Sequence, residues 1–246
     1  MKKRQTVTVL GLGYVGLPVF KSLIAADRYE VFGLDNNQNL INSLRQQLGS
    51  KHNLTHQPES CLPNSDFVIV CVPTPIDKRN KPDHSIVTSV FTTLATHLHR
   101  GQHIIIESTI YPGFCVQKLL PILERTHLIG GKDFNFSHCP ERINPGDPIW
   151  HVGNIPRNIG SLTTAGAKEA QKFYQSFIAA DVSVLNSIEE AEATKIVENV
   201  FRDVNIAFAN ELAISFDKLG IDAPKVIAAA ASKPFSFLAH YPGCGV

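Results

Sequence analysis

The chain has 246 residues, 43% hydrophobic and 18% charged, and a formal net charge of +1. That length can bury a substantial core, and a near-neutral balance without long basic or acidic runs gives no footprint for nucleic acid or an anionic membrane. No stretch reaches the roughly 18 consecutive apolar residues of a membrane span, and Cys61, Cys71, Cys115, Cys139 and Cys244 form no CxxC pair and no metal spacing with histidine, so no metal and a cytoplasmic, reduced setting are expected.

The N-terminal MKKRQTVTVLGLGYVGLP has the basic-then-apolar profile of a leader, but glycines break its apolar run, so it reads as a strand entering a turn. TVTVLGL (6–12) predicts that strand, and Tyr14 to Ala26 a helix. YEVFGLD (29–35), DFVIVCV (66–72) and QHIIIES (102–108) predict further strands, with helical patterns at 85–98 and 113–124. Strands apolar on both faces and separated by helices predict a parallel sheet covered on both sides, a doubly wound α/β domain of Rossmann type over residues 1–185.

A loop rich in Pro, Gly and Asn (140–158) leads to a helical stretch at 163–179 and then to DVSVL. From Ser187 to Leu219, Ile188, Ala191, Ile196, Val200, Val204, Phe208 and Leu212 recur at helical spacing without Gly or Pro. The predicted helix is long beside the roughly 11–12 residues of an average one, which suits a domain connector or an interface. Gly220 is a candidate C-cap and Pro224 opens a new element, so residues 186–246 read as a second, helical region.

GLGYVG (11–16) fits G-x-G-x-x-G between a strand and a helix. Gly11 makes the turn, Gly13 admits a pyrophosphate, and Gly16 lets helix and strand approach, while Tyr14 and Val15 carry the loop to the helix N-terminus. Asp35 closes the second strand, where a carboxylate can accept from ribose hydroxyls; Asn36 and Asn37 bring no cation for a 2′-phosphate, so NAD is expected over NADP. The alternative is a glycine turn that binds no dinucleotide. Thr74, in CVPTP, and Thr109, in ESTIYPG, stand at the carboxyl ends of the next two strands. They either face the cofactor or stabilise turns.

In this order, GLGYVGLP, CVPTPID, ESTIYPG, CPERINPGD and KIVENVFRDVNIAFANE resemble the UDP-sugar 6-dehydrogenases, nearest the branch that oxidises UDP-N-acetylhexosamines. The resemblance implies two rounds of NAD reduction that take the sugar C6 alcohol to a carboxylate, for polysaccharide and O-antigen precursors. It places a catalytic lysine and asparagine at Lys195 and Asn199, i and i+4 on one helix face, and a substrate-contacting arginine at Arg202. Glu141 takes the position of the acid/base for the hydrolytic step, near Thr109, with Arg142 and Ile143 at substrate positions. It further implies a homodimer through the 187–219 helix. A solvated helix face, and a loop pairing of Glu141 with Arg142, are the plain alternatives for these residues.

The chain also departs from that pattern. The family's nucleophilic cysteine follows a PGxGVGGHC loop, and this sequence stops at Pro242-Gly-Cys-Gly-Val246, with Cys244 at the x position. The second, UDP-binding domain of the family is absent, and the stretch between Leu44 and Phe67 is shorter than usual. The expectation is an amino-terminal part with little activity alone. Cys139, replacing the commoner serine, is either a substitute nucleophile or inert packing. Two other readings stay open: a single-step β-hydroxyacid dehydrogenase, which also carries Lys-x-x-x-Asn on a helix, and a non-catalytic relative that keeps the fold.

Overall fold

The structure, a computed structural model, describes residues 4–49, 51–143 and 149–245. The end of the CPERINPGD motif, residues 144–147, lies outside them, as do the first three residues and Val246. Two compact units divide the chain, residues 1–193 and 194–246.

In the first unit, β1 (Thr6–Leu10) is buried along its whole length and takes an interior place in a sheet. A glycine-rich turn leads to α1 (Gly16–Ala26), then β2 (Glu30–Leu34), α2 (Gln38–Leu48) and β3 (Asn53–Thr55). The chain crosses back to β4 (Phe67–Val70), α3 (Ser85–His97) and β5 (His103–Ile106). A π-helical turn (Cys115–Leu119) runs into α4 (Leu120–Leu123), followed by β6 (Asn135–His138), β7 (Arg157–Ser161), α5 (Thr164–Gln175) and β8 (Val182–Val184). The strand order is β3-β2-β1-β4-β5-β6-β7-β8. Its first six strands have the doubly wound order, with the direction of winding reversing between β1 and β4.

Side-chain alternation along the strands sends each strand's residues to two cores. Val7, Val9, Phe67, Ile69 and Ile105 pack on one face with α1, α2 and α5 residues. Leu10, Val68, Val70, Ile104 and Ile106 pack on the other with residues of α3 and α4. Burial on both faces explains why these strands are continuous apolar runs. All ladders from β3 to β6 are parallel; β6 and β7 pair antiparallel, Ser137 opposite Ser161. A parallel return would need a crossover element, and the chain between these two strands has no helix among the described residues.

The helix expected at 113–124 is a π turn with one α turn, and α2, β3, β6 and β7 are elements the periodicity does not reveal. The short Leu44–Phe67 segment still completes a β-α-β unit, because β3 pairs parallel with β2 over Phe32–Leu34. Around its start α6 (Ile188–Asp217) is buried at Ile188, Ala191 and Glu192.

In the second unit, α6 continues to Asp217, close to the expected 187–219 span, and Gly220 ends it at φ +68. The Asp222 side chain caps α7 (Ala223–Ala230) by accepting the Lys225 N–H. Asn210 holds the chain's last turn at both backbone groups of Gly243. Its amide donates to the Gly243 carbonyl and its oxygen accepts the Gly243 N–H, each at 2.9 Å.

Candidate functional site

The carboxyl edge of the sheet at the β1/β4 reversal is a cradle for a dinucleotide. Gly11 has φ +89, and a Cβ there would lie 2.4 Å from the Cys71 carbonyl oxygen. A Cβ on Gly16 would meet the Gly11 carbonyl oxygen at 1.8 Å, so α1 can start this close to β1 only with glycine. Gly13 differs: a Cβ there would have no neighbour within 4 Å. Nothing in the fold requires glycine at 13, and a group outside the protein that must approach the backbone does. No side chain caps α1, and its first turn carries no acid, which leaves the N-terminus to an anion. Tyr14 is exposed and Val15 half-buried on this loop.

Asp35 braces the cradle. One carboxylate oxygen accepts the Leu12 N–H and the other the Asn37 N–H, both at 2.8 Å. Each oxygen keeps a second lone pair for a ribose hydroxyl. Beside it opens a cavity of 360 Å³, whose walls include Leu34, Asp35, Asn36, His56, Val72 and Val90. An apolar slot with a carboxylate at its mouth suits an adenosine, so the residues present fit NAD.

The neighbouring loops are tied to one another. Thr74 Oγ donates to the Thr109 carbonyl at 2.7 Å, so these two residues lie together on adjacent strand ends, both half-buried. Ser108 Oγ donates to the Val72 carbonyl and accepts the Val72 N–H, at 2.7 and 2.9 Å. Glu192, fully buried, accepts the N–H groups of Gly113 and, at 2.8 Å, of Cys115. Burial raises its carboxyl above the ordinary value, and the two N–H donors act against that rise.

Glu141 follows β6 and is 6% exposed. Its N–H donates to the Glu107 carbonyl at 3.2 Å, which extends the ladder beyond the strands. One of its carboxylate oxygens accepts the Ile143 N–H at 2.8 Å and lies 4.0 Å from the Arg157 guanidinium. Arg157 in turn stands 3.0 Å from Glu107, and Tyr174 O–H donates to Glu107 at 2.6 Å. Glu107 is pushed up by burial and by Glu141, with Arg157 pulling it down. Arg142 donates to the Pro156 carbonyl at 2.9 Å.

Of the thiols, Cys61, Cys71, Cys115 and Cys139 are buried and unpaired; Cys244 is exposed. Burial pushes Cys139 up to about 12 and Cys71 and Cys115 well above the ordinary range. Burial holds the Cys139 thiol in its neutral form, which favours the inert-packing reading over a substitute nucleophile. Lys195, Asn199 and Arg202 lie in the second unit along α6; the first two are half-buried and Arg202 is exposed. Sequence reasoning missed Asp35's brace on the loop, Ser108, Glu107, Arg157 and Glu192. Of these only Glu107 and Ser108 carry a signal, their place in ESTIYPG.

Residues 46–178 match the family described as "UDP-glucose/GDP-mannose dehydrogenase family, NAD binding domain", and residues 189–246 its "central domain". Protein CapL of Staphylococcus aureus is 37% identical over 97% of this chain and 58% of its own length. The UDP-N-acetyl-D-glucosamine 6-dehydrogenase of Salmonella typhi is 36% identical over 96% and 58%. A solved UDP-D-ManNAc dehydrogenase from Pyrococcus horikoshii superposes with a TM-score of 0.89 at 35% identity, covering 98% of this chain and 61% of that one. The chain therefore spans about three-fifths of the length of these relatives. No helix among the described residues is long and apolar enough to cross a membrane. A Gly-rich turn at the sheet's reversal point, an acid closing β2, and matches across both units lead to one conclusion: the chain belongs to the UDP-glucose/GDP-mannose dehydrogenase family and carries its NAD-binding domain.

Proposed function

We propose that this chain serves NAD-dependent oxidation of the C6 alcohol of a UDP-N-acetylhexosamine, for polysaccharide precursor synthesis in the cytoplasm. The observation that carries the cofactor half is Gly13, a glycine with no internal steric need, at the uncapped start of α1 and beside the Asp35 cavity. NAD supplies the hydride acceptor. Gly11, Gly13, Gly16, Tyr14, Val15 and Asp35 hold its phosphates and ribose, with Thr74 and Thr109 at the neighbouring strand ends. The names of the relatives support the substrate class.

In this reading residues 1–185 bind the cofactor and residues 186–246 form the central, dimer-building region. Lys195 takes or stabilises the charge on the C6 oxygen, Asn199 lies one turn along the same helix, and Arg202, Arg142 and Ile143 contact the substrate. Glu141 handles the proton of the hydrolytic step, near Thr109. The oxidation of the aldehyde needs a thiolate; burial holds Cys61, Cys71, Cys115 and Cys139 toward the neutral thiol, and the exposed Cys244 takes the x position of its loop rather than the nucleophile's. Residues 1–246 alone are thus expected to bind NAD and turn over little. Homodimerisation is supported by a stripe on α6, Val197, Val200, Phe201, Val204 and Phe208, each about half-exposed or more.

Calorimetric titration with NAD and NADP, followed by NADH formation with each UDP-N-acetylhexosamine, tests this. Preference for NAD with little turnover is expected. Absent NAD affinity sinks the cofactor assignment, and sustained formation of the uronate by this chain sinks the assignment of the thiol step.

A further inference from the structure

The turn that follows β5, Thr109 to Cys115, is held by side chains from other parts of the chain. Thr74 Oγ takes the Thr109 carbonyl at 2.7 Å. His84, just before α3, stacks on the Phe114 ring at a centroid distance of 4.3 Å and meets the Tyr111 ring edge-on at 5.2 Å. Glu192 supplies the only carboxylate among these holds. It is fully buried near the start of α6, within the first unit, and its two oxygens accept the N–H groups of Gly113 and Cys115.

The backbone here is shaped for an anion. Gly113 has φ +91, and Phe114 is right-handed at φ −65 and ψ −42. A left-handed residue followed by a right-handed one turns the flanking N–H groups into one concavity. The N–H of Phe114, between them, donates back to the Tyr111 carbonyl at 3.1 Å and closes the turn. The residue at the head of the π turn gives it no side-chain cap, so the seat is filled by a carboxylate from 79 and 77 residues along the chain.

In a doubly wound sheet a dinucleotide lies across the reversal point, one nucleotide over each half. The Asp35 cavity takes the adenosine half beside β1 and β2. The strand ends of β4 and β5, with Thr74 and Thr109, are left to the nicotinamide half. We propose that Glu192 is a positioning residue for that half: seated on Gly113 and Cys115, it fixes the turn over which the nicotinamide nucleoside lies. This rests on the reading of the Asp35 cavity as the adenosine slot. A turn fixed before the ligand arrives lowers the ordering cost of binding. Loss of the clamp therefore weakens a ligand that reaches the turn and spares one that does not. ADP, which carries the adenosine and two phosphates without the nicotinamide nucleoside, is the second kind.

The test compares calorimetric affinities for NAD and ADP in the parent chain and in E192Q. Glutamine keeps the shape, but its NH2 group meets one of the two backbone N–H groups donor to donor. In E192Q the NAD affinity falls about tenfold and the ADP affinity stays within about twofold. Equal losses for the two ligands, or no loss for either, overturn the proposal, because a residue that only stabilised the fold would not tell them apart. Where circular dichroism finds E192Q unfolded, E192D carries the same comparison. It keeps both acceptors on a shorter stem, and the same outcomes decide. Failure of the cofactor reading looks different: the parent chain itself then shows no NAD affinity, and the proposal falls with it.

Discussion

Gly13→Val separates ligand demand from fold demand. Gly13 lacks a positive φ and has no neighbour within 4 Å of a Cβ, so valine fits the folded chain and stability changes by less than about 0.5 kcal/mol, as at an ordinary surface site. The added side chain projects where a pyrophosphate must reach the backbone. Two N–H bonds to an anionic phosphate, at about 1.5–3 kcal/mol each, are then lost, which weakens NAD binding by at least about two decades. Gly11→Ala reverses the pattern. Its φ of +89 and the Cys71 oxygen at 2.4 Å combine a left-handed penalty of about 1–2 kcal/mol with a backbone shift of about 1–3 kcal/mol. A drop of several degrees in Tm is expected, at about 2–4 °C per kcal/mol for a chain of this size. Calorimetry with NAD and thermal unfolding of both variants give the two axes. Unchanged NAD affinity in Gly13→Val refutes the assignment of this loop to the pyrophosphate.

His138 predicts a pH effect. Burial pushes it down to about 4, with Nδ1 2.9 Å from the Ile106 carbonyl oxygen. An unfolded histidine titrates near 6.5, so between pH 6.5 and about 4 the unfolded chain holds a proton that the folded chain refuses. Stability from this group is complete above 6.5 and falls with pH, by about 3 kcal/mol in total. Urea unfolding of His138→Gln across that range lacks this slope; an identical pH dependence rules the mechanism out. Tyr174→Phe removes the 2.6 Å bond to Glu107 and costs about 1.5–3 kcal/mol, read from the urea midpoint; a loss under about 0.5 kcal/mol contradicts an ionised Glu107. Val204→Glu, on the exposed stripe of α6, is expected to turn the proposed dimer to monomer in sedimentation velocity with unchanged circular dichroism, and an unchanged mass excludes that face as the interface.

The parts of the fold legible in the sequence are those in which local pattern and burial agree. TVTVL, FVIV and HIII are buried on both faces because helices cover both, and GLGYVG shows itself through spacing. By contrast β7, RNIGS, holds a fully buried arginine, an asparagine and a glycine. Read alone, that segment is a loop. As a strand it can bury Arg157 because Glu107, far away in the chain, pairs with it at 3.0 Å, and it needs Gly160, where a Cβ would lie 2.1 Å from the Ser187 carbonyl oxygen. The three residues of β3 and the polar sequence of α2 are hidden for a simpler reason: each element covers only the sheet's outer edge. Lys195 and Asn199 share a helix face by spacing, and their burial pattern alone assigns them no role.

The polar side chains that close the strand ends share one task. Where the parallel strands end, their backbone groups lose ladder partners, and a buried N–H or C=O without a partner costs free energy. Polar side chains at the carboxyl edge take over: Asp35 for Leu12 and Asn37, Ser108 for Val72, Thr74 for Thr109, Glu192 for Gly113 and Cys115. Apart from the local Asp35–Asn37 bond, each joins one loop to a different segment, so the edge is held as a network rather than as separate turns. Such a network fixes the loops before any ligand arrives, which lowers the ordering cost of binding a flexible dinucleotide. Ser108 and Glu192 are thus expected to act on affinity through the loops they hold, and Asp35 both through its loop and at the ribose. Their identity is set by the backbone groups left open at each strand end, a quantity that only the sheet's register defines.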